Sequence, residues 1–251
     1  MLPFCVLDPT VSNKNARGLC ALGVMTKAPK AGQVKTRLVP PLTSSEAAEL
    51  NKCFLRDTAA SISSAASASD ACEIAVYTPI GSEAAYTDIL SIDFSLLSQR
   101  GENFGERLYF AAEDLFKCGF ESACLIDSDS PTVPAANFSQ AVIELAKRGD
   151  RVVLGPSDDG GYYLIGLKRP HRKLFERIDW STELVLDQTI QRAREIGLQV
   201  KLLPSGYDVD DGASLRRLCN ELLADTAPAD FAPHTQKFLR ELVARQRLDL
   251  L

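Results

Sequence analysis

Apolar positions along this chain follow two rhythms. Short apolar runs of strand length lie at residues 19–25, 72–77, 123–126, 151–154, 162–167 and 199–203, with a weaker one at 89–97. Between them, apolar residues recur at helical spacing. A helix opens at Thr43 or Ser44, where Ser45 and Glu46 precede Ala47, Leu50, Phe54 and Leu55. Further helices are predicted over 104–116, over 134–147 with a proline near its start, over 182–196 closed by Gly197, and over 212–223. Strands alternating with helices in this way predict an α/β fold, a mainly parallel sheet with helices on both faces.

The two ends fall outside that alternation. Residues 1–17 read as an extension ending in a polar stretch, residues 18–225 as one α/β unit, and residues 226–251 as a C-terminal amphipathic segment. In the last of these, the helix predicted over 235–248 carries Phe238, Leu239, Leu242 and Val243 on one side. That stripe packs back on its own domain or forms a homodimer contact, the first being the expectation. No internal repeat is visible.

Composition narrows the class. At 251 residues with 45% hydrophobic and 24% charged residues, the chain has the balance of a soluble globular protein. No apolar run approaches membrane-spanning length. The net charge of -5 lacks the positive field expected of a nucleic-acid binder. Seven cysteines, without a CxxC, and two histidines make a zinc site or a disulfide framework a poor expectation and fit a reducing cytoplasm. The apolar start breaks at Asp8-Pro9 with no basic stretch before it, unlike a signal peptide.

In open α/β sheets, ligands bind beyond the carboxyl ends of the strands, so the residues after each run carry the chemistry. After the first comes a loop with Lys27, Lys30, Lys35 and Arg37 around Gly32. Clustered cations beside a glycine suit a phosphate, although no Walker or GxGxxG pattern is present and a solvated loop is the plainer alternative. The run at 123–126 leads into Asp127-Ser-Asp129, where carboxylates two apart at a strand end suit a hard cation such as Mg²⁺ or Mn²⁺. Asp158-Asp159-Gly160-Gly161-Tyr162 reads as a hairpin turn, and equally as a turn that admits substrate between two carboxylates. Asp210 either caps the following helix or adds a carboxylate to the metal site. Trp180 is either core or a pocket wall that stacks on a sugar or base.

Lys27-Ala-Pro-x-x-Gly-x-Val-Lys-Thr-Arg-Leu, Phe104-Gly-Glu-Arg107, Asp127-Ser-Asp-Ser-Pro131, Gly155-Pro-x-x-Asp-Gly-Gly-Tyr-Tyr-Leu-Ile-Gly166, Trp180-Ser-Thr and Asp208-Val-Asp occur in that order. The set resembles the cofactor-guanylyltransferase-like glycosyltransferases, also called the radical-SAM/selenodomain-associated transferases, over about residues 19–220. The resemblance implies the GT-A fold of the nucleotide-diphospho-sugar transferases. It departs at Asp127, where the family has glycine, so Asp129 is the matched metal ligand and Asp127 an extra carboxylate.

Two reactions are expected from the resemblance. In glycosyl transfer from a nucleotide-diphosphate sugar to a small-molecule acceptor, Asp129, with Asp127 and Asp210, holds Mg²⁺ or Mn²⁺. Lys27, Gly32, Lys35, Arg37 and Arg107 then bind nucleotide and phosphates; Gly160, Gly161, Tyr162 and Trp180 bind substrate; Asp158 or Asp159 takes the acceptor's proton. In nucleotidyl transfer, the cationic loop grips a nucleoside triphosphate and a substrate phosphate attacks. The cationic loop favours the second, because a triphosphate carries more charge to offset; the Asp-x-Asp, the later acidic pair and Trp180 favour the first, which is the expectation.

Overall fold

The computed structural model describes residues 4–228 and 230–245. Eight strands form one sheet: β1 (Cys5–Val6), β2 (Cys20–Lys27), β3 (Ala71–Thr78), β4 (Ser95–Ser98), β5 (Ser122–Ile126), β6 (Arg151–Pro156), β7 (Tyr162–Leu167) and β8 (Gln199–Leu202). Their order is β1-β4-β3-β2-β5-β7-β6-β8. Every pairing is parallel except those of β7, which runs antiparallel to β5 and to β6. This is the mainly parallel α/β fold expected from the alternation.

The central strands are buried on both faces, so their apolar runs are nearly continuous. Their side chains still alternate. Cys20, Leu22 and Val24 of β2, with Cys124 and Ile126 of β5, enter one core. Ala21, Ala123 and Leu125 enter the other. The first core is closed by α1 (Ser44–Ser67) and α3 (Ala135–Ala146), and the second by α2 (Phe104–Lys117) and α4 (Val185–Glu195). A third cluster joins Leu50 and Phe54 of α1 to Leu215 and Leu218 of α5 (Gly212–Leu222) and Leu239 and Leu242 of α6 (Pro233–Ala244). The start of α6 is fixed by the Asp57 carboxylate, which accepts from the His234 and Thr235 amides at 3.0 and 2.8 Å. The C-terminal stripe therefore packs on its own chain; the part of the expected helix beyond residue 245 lies outside the described residues.

Three expectations change and one open alternative is decided. Residues 5–6 of the N-terminal extension pair with β4 at the sheet edge. The weak strand shrinks to residues 95–98, because Ile89 and Leu90 are buried under turns instead. The helix expected from residue 182 starts at Val185. At α5 the cap is Asp211, whose carboxylate accepts from the Ala213 and Ser214 amides, and this leaves Asp210 free for another role. At α1, Thr43 and Glu46 form the expected capping box. All seven cysteines are free, and no helix among the described residues is long and apolar enough to cross a membrane.

Candidate active site

The carboxyl ends of β2, β3 and β5 open onto two cavities. The smaller, about 350 Å³, is walled by Thr26, Lys27, Thr78, Gln99 and Arg107. The larger, about 820 Å³, is walled by Tyr162, Trp180, Tyr207 and Arg217, and by Asp127, Asp158, Asp159 and Asp208. Arg37, Phe104, Asp129 and Asp210 line both, so the cavities meet at these residues.

At the junction stands Lys35. Its side chain is 4% exposed, and its ammonium lies 2.8 Å from Asp129 Oδ1 and 2.8 Å from Asp210 Oδ1. It also donates to the Val209 carbonyl at 2.9 Å. Burial alone would depress this amine, but the two carboxylates outweigh burial and hold its pKa above the usual lysine value. The Val209 amide donates to the Asp129 carbonyl at 3.0 Å, which ties the segment after β8 to the turn after β5. Two motifs 81 residues apart in sequence thus meet over one cation.

Asp129 and Asp210 converge on a single point, as the donor set for a hard cation must. Asp127 does not join them. Its Oδ2 accepts from the Ser130 hydroxyl at 2.7 Å, and burial, reinforced by the Asp129 and Asp208 charges, pushes its carboxyl well above the ordinary range. Among the described residues no group of three or more His, Cys, Asp or Glu side chains is arranged to hold a metal. Of the expected trio, Asp129 and Asp210 face one point and Asp127 is turned to Ser130. Two carboxylates alone would leave a divalent ion's shell to be completed by phosphate oxygens and water.

In the smaller cavity, Gln99 follows β4, and its amide donates to the Thr26 carbonyl at 3.1 Å and the Val76 carbonyl at 2.7 Å. Both amide hydrogens are spent on the sheet, which fixes the orientation and leaves Oε1 as an acceptor at the cavity wall. Asn51 of α1, 5% exposed, lines the same cavity with no hydrogen-bond partner among the described residues. Lys27, Arg37 and Arg107 supply positive charge there. Gly32, at φ +74°, has open space around it and lines neither cavity.

In the larger cavity, the tip of the β6–β7 hairpin is stitched down by Gly160 N–H to the Ser157 carbonyl and Asp158 N–H to the Gly206 carbonyl. Gly160 has φ +87°, and a Cβ there would lie 2.2 Å from the Glu183 carbonyl oxygen, so only glycine lets the hairpin meet the 180–185 segment. The Leu186 amide seals that contact, donating to the Gly160 carbonyl at 2.8 Å. Trp180 stands edge-on to Phe104, ring centroids 5.1 Å apart. A Cβ on Gly105 would come within 2.6 Å of Trp180 Nε1, so this glycine admits the indole.

The acidic pair divides. Asp158 Oδ2 is paired with Arg217 at 2.7 Å, and that guanidinium lies 3.8 Å over the Tyr207 ring. Asp159 accepts the Gly161 amide on Oδ1 and lines the cavity, with no cation paired to it among the described residues. Asp208 accepts from the Ser157 hydroxyl at 3.2 Å, and burial, with the Asp159 and Asp210 charges, raises its pKa.

Gln99, Asn51, Arg217 and Tyr207 were absent from the site expected from sequence, and Asp208 stood there only as part of a motif, with no role. Gln99 was findable, since it follows a strand end, had the weak strand been closed at residue 98. Asn51 carried no signal, lying mid-helix among core positions.

Residues 61–182 match a family model described as an uncharacterized protein conserved in bacteria (DUF2064). Among solved structures, a protein of Desulfovibrio desulfuricans G20 provisionally assigned as a nucleotide-diphospho-sugar transferase is similar at 28% identity and a TM-score of 0.78. That match covers 91% of this chain and 97% of the other. A 4-diphosphocytidyl-2C-methyl-D-erythritol synthase of Anaerococcus prevotii DSM 20548 shares the fold at 13% identity and a TM-score of 0.53, over 85% of this chain and all of its own. No curated protein sequence matches the chain.

Proposed function

We propose that this chain, which matches the DUF2064 family over residues 61–182 and has the fold of the nucleotide-diphospho-sugar transferases, moves a sugar from a nucleotide-diphosphate donor to a small acceptor. The observation that carries the reading is the pair of cavities joined at Asp129 and Asp210. The smaller cavity takes the nucleoside: Gln99 Oε1 accepts from a base N–H, and Asn51 meets a polar group of base or ribose. Arg37, which lines both cavities, and Arg107 and Lys27 offset the diphosphate. The larger cavity takes sugar and acceptor, with Trp180 and Tyr162 supplying flat apolar surface for a sugar face.

In the reaction, an acceptor hydroxyl attacks the anomeric carbon, the bond from that carbon to the diphosphate oxygen breaks, and nucleoside diphosphate leaves. Asp159 receives the hydroxyl proton; Asp158, held by Arg217, is the less available of the two. Asp129 and Asp210 would hold Mg²⁺ or Mn²⁺, which offsets charge on the departing diphosphate.

Nucleotidyl transfer is the second reading, favoured by the cations at the smaller cavity.

A thermal-shift panel with Mg²⁺ or Mn²⁺, setting nucleotide-diphosphate sugars against nucleoside triphosphates, tests the choice. A ligand at a hundred times its dissociation constant adds about 2.7 kcal/mol, a shift of several degrees. Stabilisation by a sugar nucleotide, lost with EDTA, is expected. Stabilisation by one triphosphate alone reverses the order of the two readings.

A further inference from the structure

Lys35 makes the acidic junction complete without any metal. An ammonium has three N–H donors: Lys35 donates to Asp210 Oδ1 and the Val209 carbonyl, and its charge is paired with Asp129 Oδ1 at 2.8 Å. The residue that delivers them is itself constrained: Lys35 has φ 47° and ψ 38°, a left-handed conformation that lysine rarely adopts. Its Nζ also lies 5.5 Å from the Phe54 ring centroid, so an apolar wall backs the charge. This side chain is built into the junction rather than laid across it.

We propose that Lys35 is the junction's own counter-ion, which excludes a free divalent ion and yields its place only when a nucleotide's phosphates arrive to accept the ammonium. The inference rests on the reading of Asp129 and Asp210 as the cation-holding pair. A divalent ion held by those carboxylates would bring a second positive centre against the ammonium they already pair. Repulsion then forces one to leave. Phosphate oxygens offer the ammonium equivalent charge-assisted bonds a few ångströms away, so metal and phosphate each make room for the other. By linkage, their binding is mutually reinforcing.

The test is Mn²⁺ binding to the full chain, read from the electron paramagnetic resonance signal of free Mn²⁺, without and with inorganic pyrophosphate and corrected for the Mn²⁺–pyrophosphate complex. Wild type should bind Mn²⁺ weakly alone and at least tenfold more tightly with pyrophosphate. Lys35→Gln should bind Mn²⁺ at least tenfold more tightly than wild type without pyrophosphate, and gain less when it is added. Lys35→Arg, which keeps the charge, should resemble wild type. Asp129→Asn in the Lys35→Gln background should remove the gain. Trp180 emission reports whether each variant is folded, and Lys35→Met replaces Lys35→Gln if the latter is not. Equal Mn²⁺ affinity in wild type and the neutral variant overturns the competition while leaving the metal pair standing. No Mn²⁺ binding in either, with pyrophosphate present, overturns the metal reading and the competition with it.

Discussion

The two cavities sit side by side at the end of one sheet and differ in how their walls are made. The smaller is built largely on strand ends and a first turn, Thr26, Thr78 and Gln99 at the ends of β2, β3 and β4 and Arg107 in the first turn of α2, with the loop residues 33–37 closing one side. Its geometry is inherited from the sheet, and Gln99 is bonded directly to two strand carbonyls. The larger is walled in good part by segments pinned to one another across the fold: the β6–β7 hairpin at Gly160 against residue 183, the start of α2 at Gly105 against Trp180, and the hairpin at Asp158 against Arg217 of α5. A strand-end wall suits the invariant part of a ligand, whereas a loop wall can be remodelled to suit different acceptors without disturbing the fold. The contrast gives the division of labour a physical basis.

The hardest blow to both sides at once is Asp129→Ala. It removes a carboxylate that both cavities share, and metal-dependent nucleotide binding should vanish in a calorimetric titration. Undiminished binding would detach the junction from the site. Next in size, Gly160→Ala strikes the loop-built side alone. The positive φ and the clash with Glu183 should cost about 2–3 kcal/mol and lower Tm by roughly 5–10 °C. Nucleoside diphosphate affinity, measured below the new melting range, should change little.

Gln99→Met probes the strand-built side. It should weaken nucleotide binding about tenfold, one hydrogen bond's worth of roughly 1.4 kcal/mol. Trp180, the chain's sole tryptophan, should keep its emission. If the emission moves and affinity does not, the assignment of the cavities is reversed.

The smallest effect lies beneath the junction. Asp127 has a raised pKa in the folded chain, so the folded state holds a proton that the unfolded chain releases at lower pH. Stability is therefore lost as pH rises from the ordinary carboxylate value through the folded one. Asp127→Asn in EDTA should raise Tm at pH 8 more than at pH 4, in parallel melting curves. An equal rise at both would mean that Asp127 is charged in the folded chain.

What was legible in the sequence follows the same division. The central strands were readable because burial on both faces leaves short apolar runs, and α1 because Thr43 and Glu46 announce its start. Where apolar residues serve another purpose, the reading failed: Ile89 and Leu90 cover the core from turns, and residues 182–184 are held out of helix by contacts with Asp179 and Gly160. The candidate residues at strand ends could be listed by position. Their partners could not, because the Lys35–Asp210 contact spans 175 residues and the choice between Asp210 and Asp211 as cap turns on backbone geometry. Lys35 looked like a phosphate ligand from its place in a cationic loop and from the resemblance, and only the fold shows which charges it faces.

The central claim, that nucleoside and acceptor occupy different cavities, is tested most directly by hydrogen exchange with the nucleotide-diphosphate sugar that stabilises the protein best, compared with its nucleoside diphosphate alone, both with Mn²⁺. The nucleoside diphosphate should protect residues 26–37 and 99–107 and leave 158–162 and 180–185 unchanged, and the sugar conjugate should protect all four segments. Protection of 158–185 by the nucleoside diphosphate alone, with 99–107 untouched, would contradict the account.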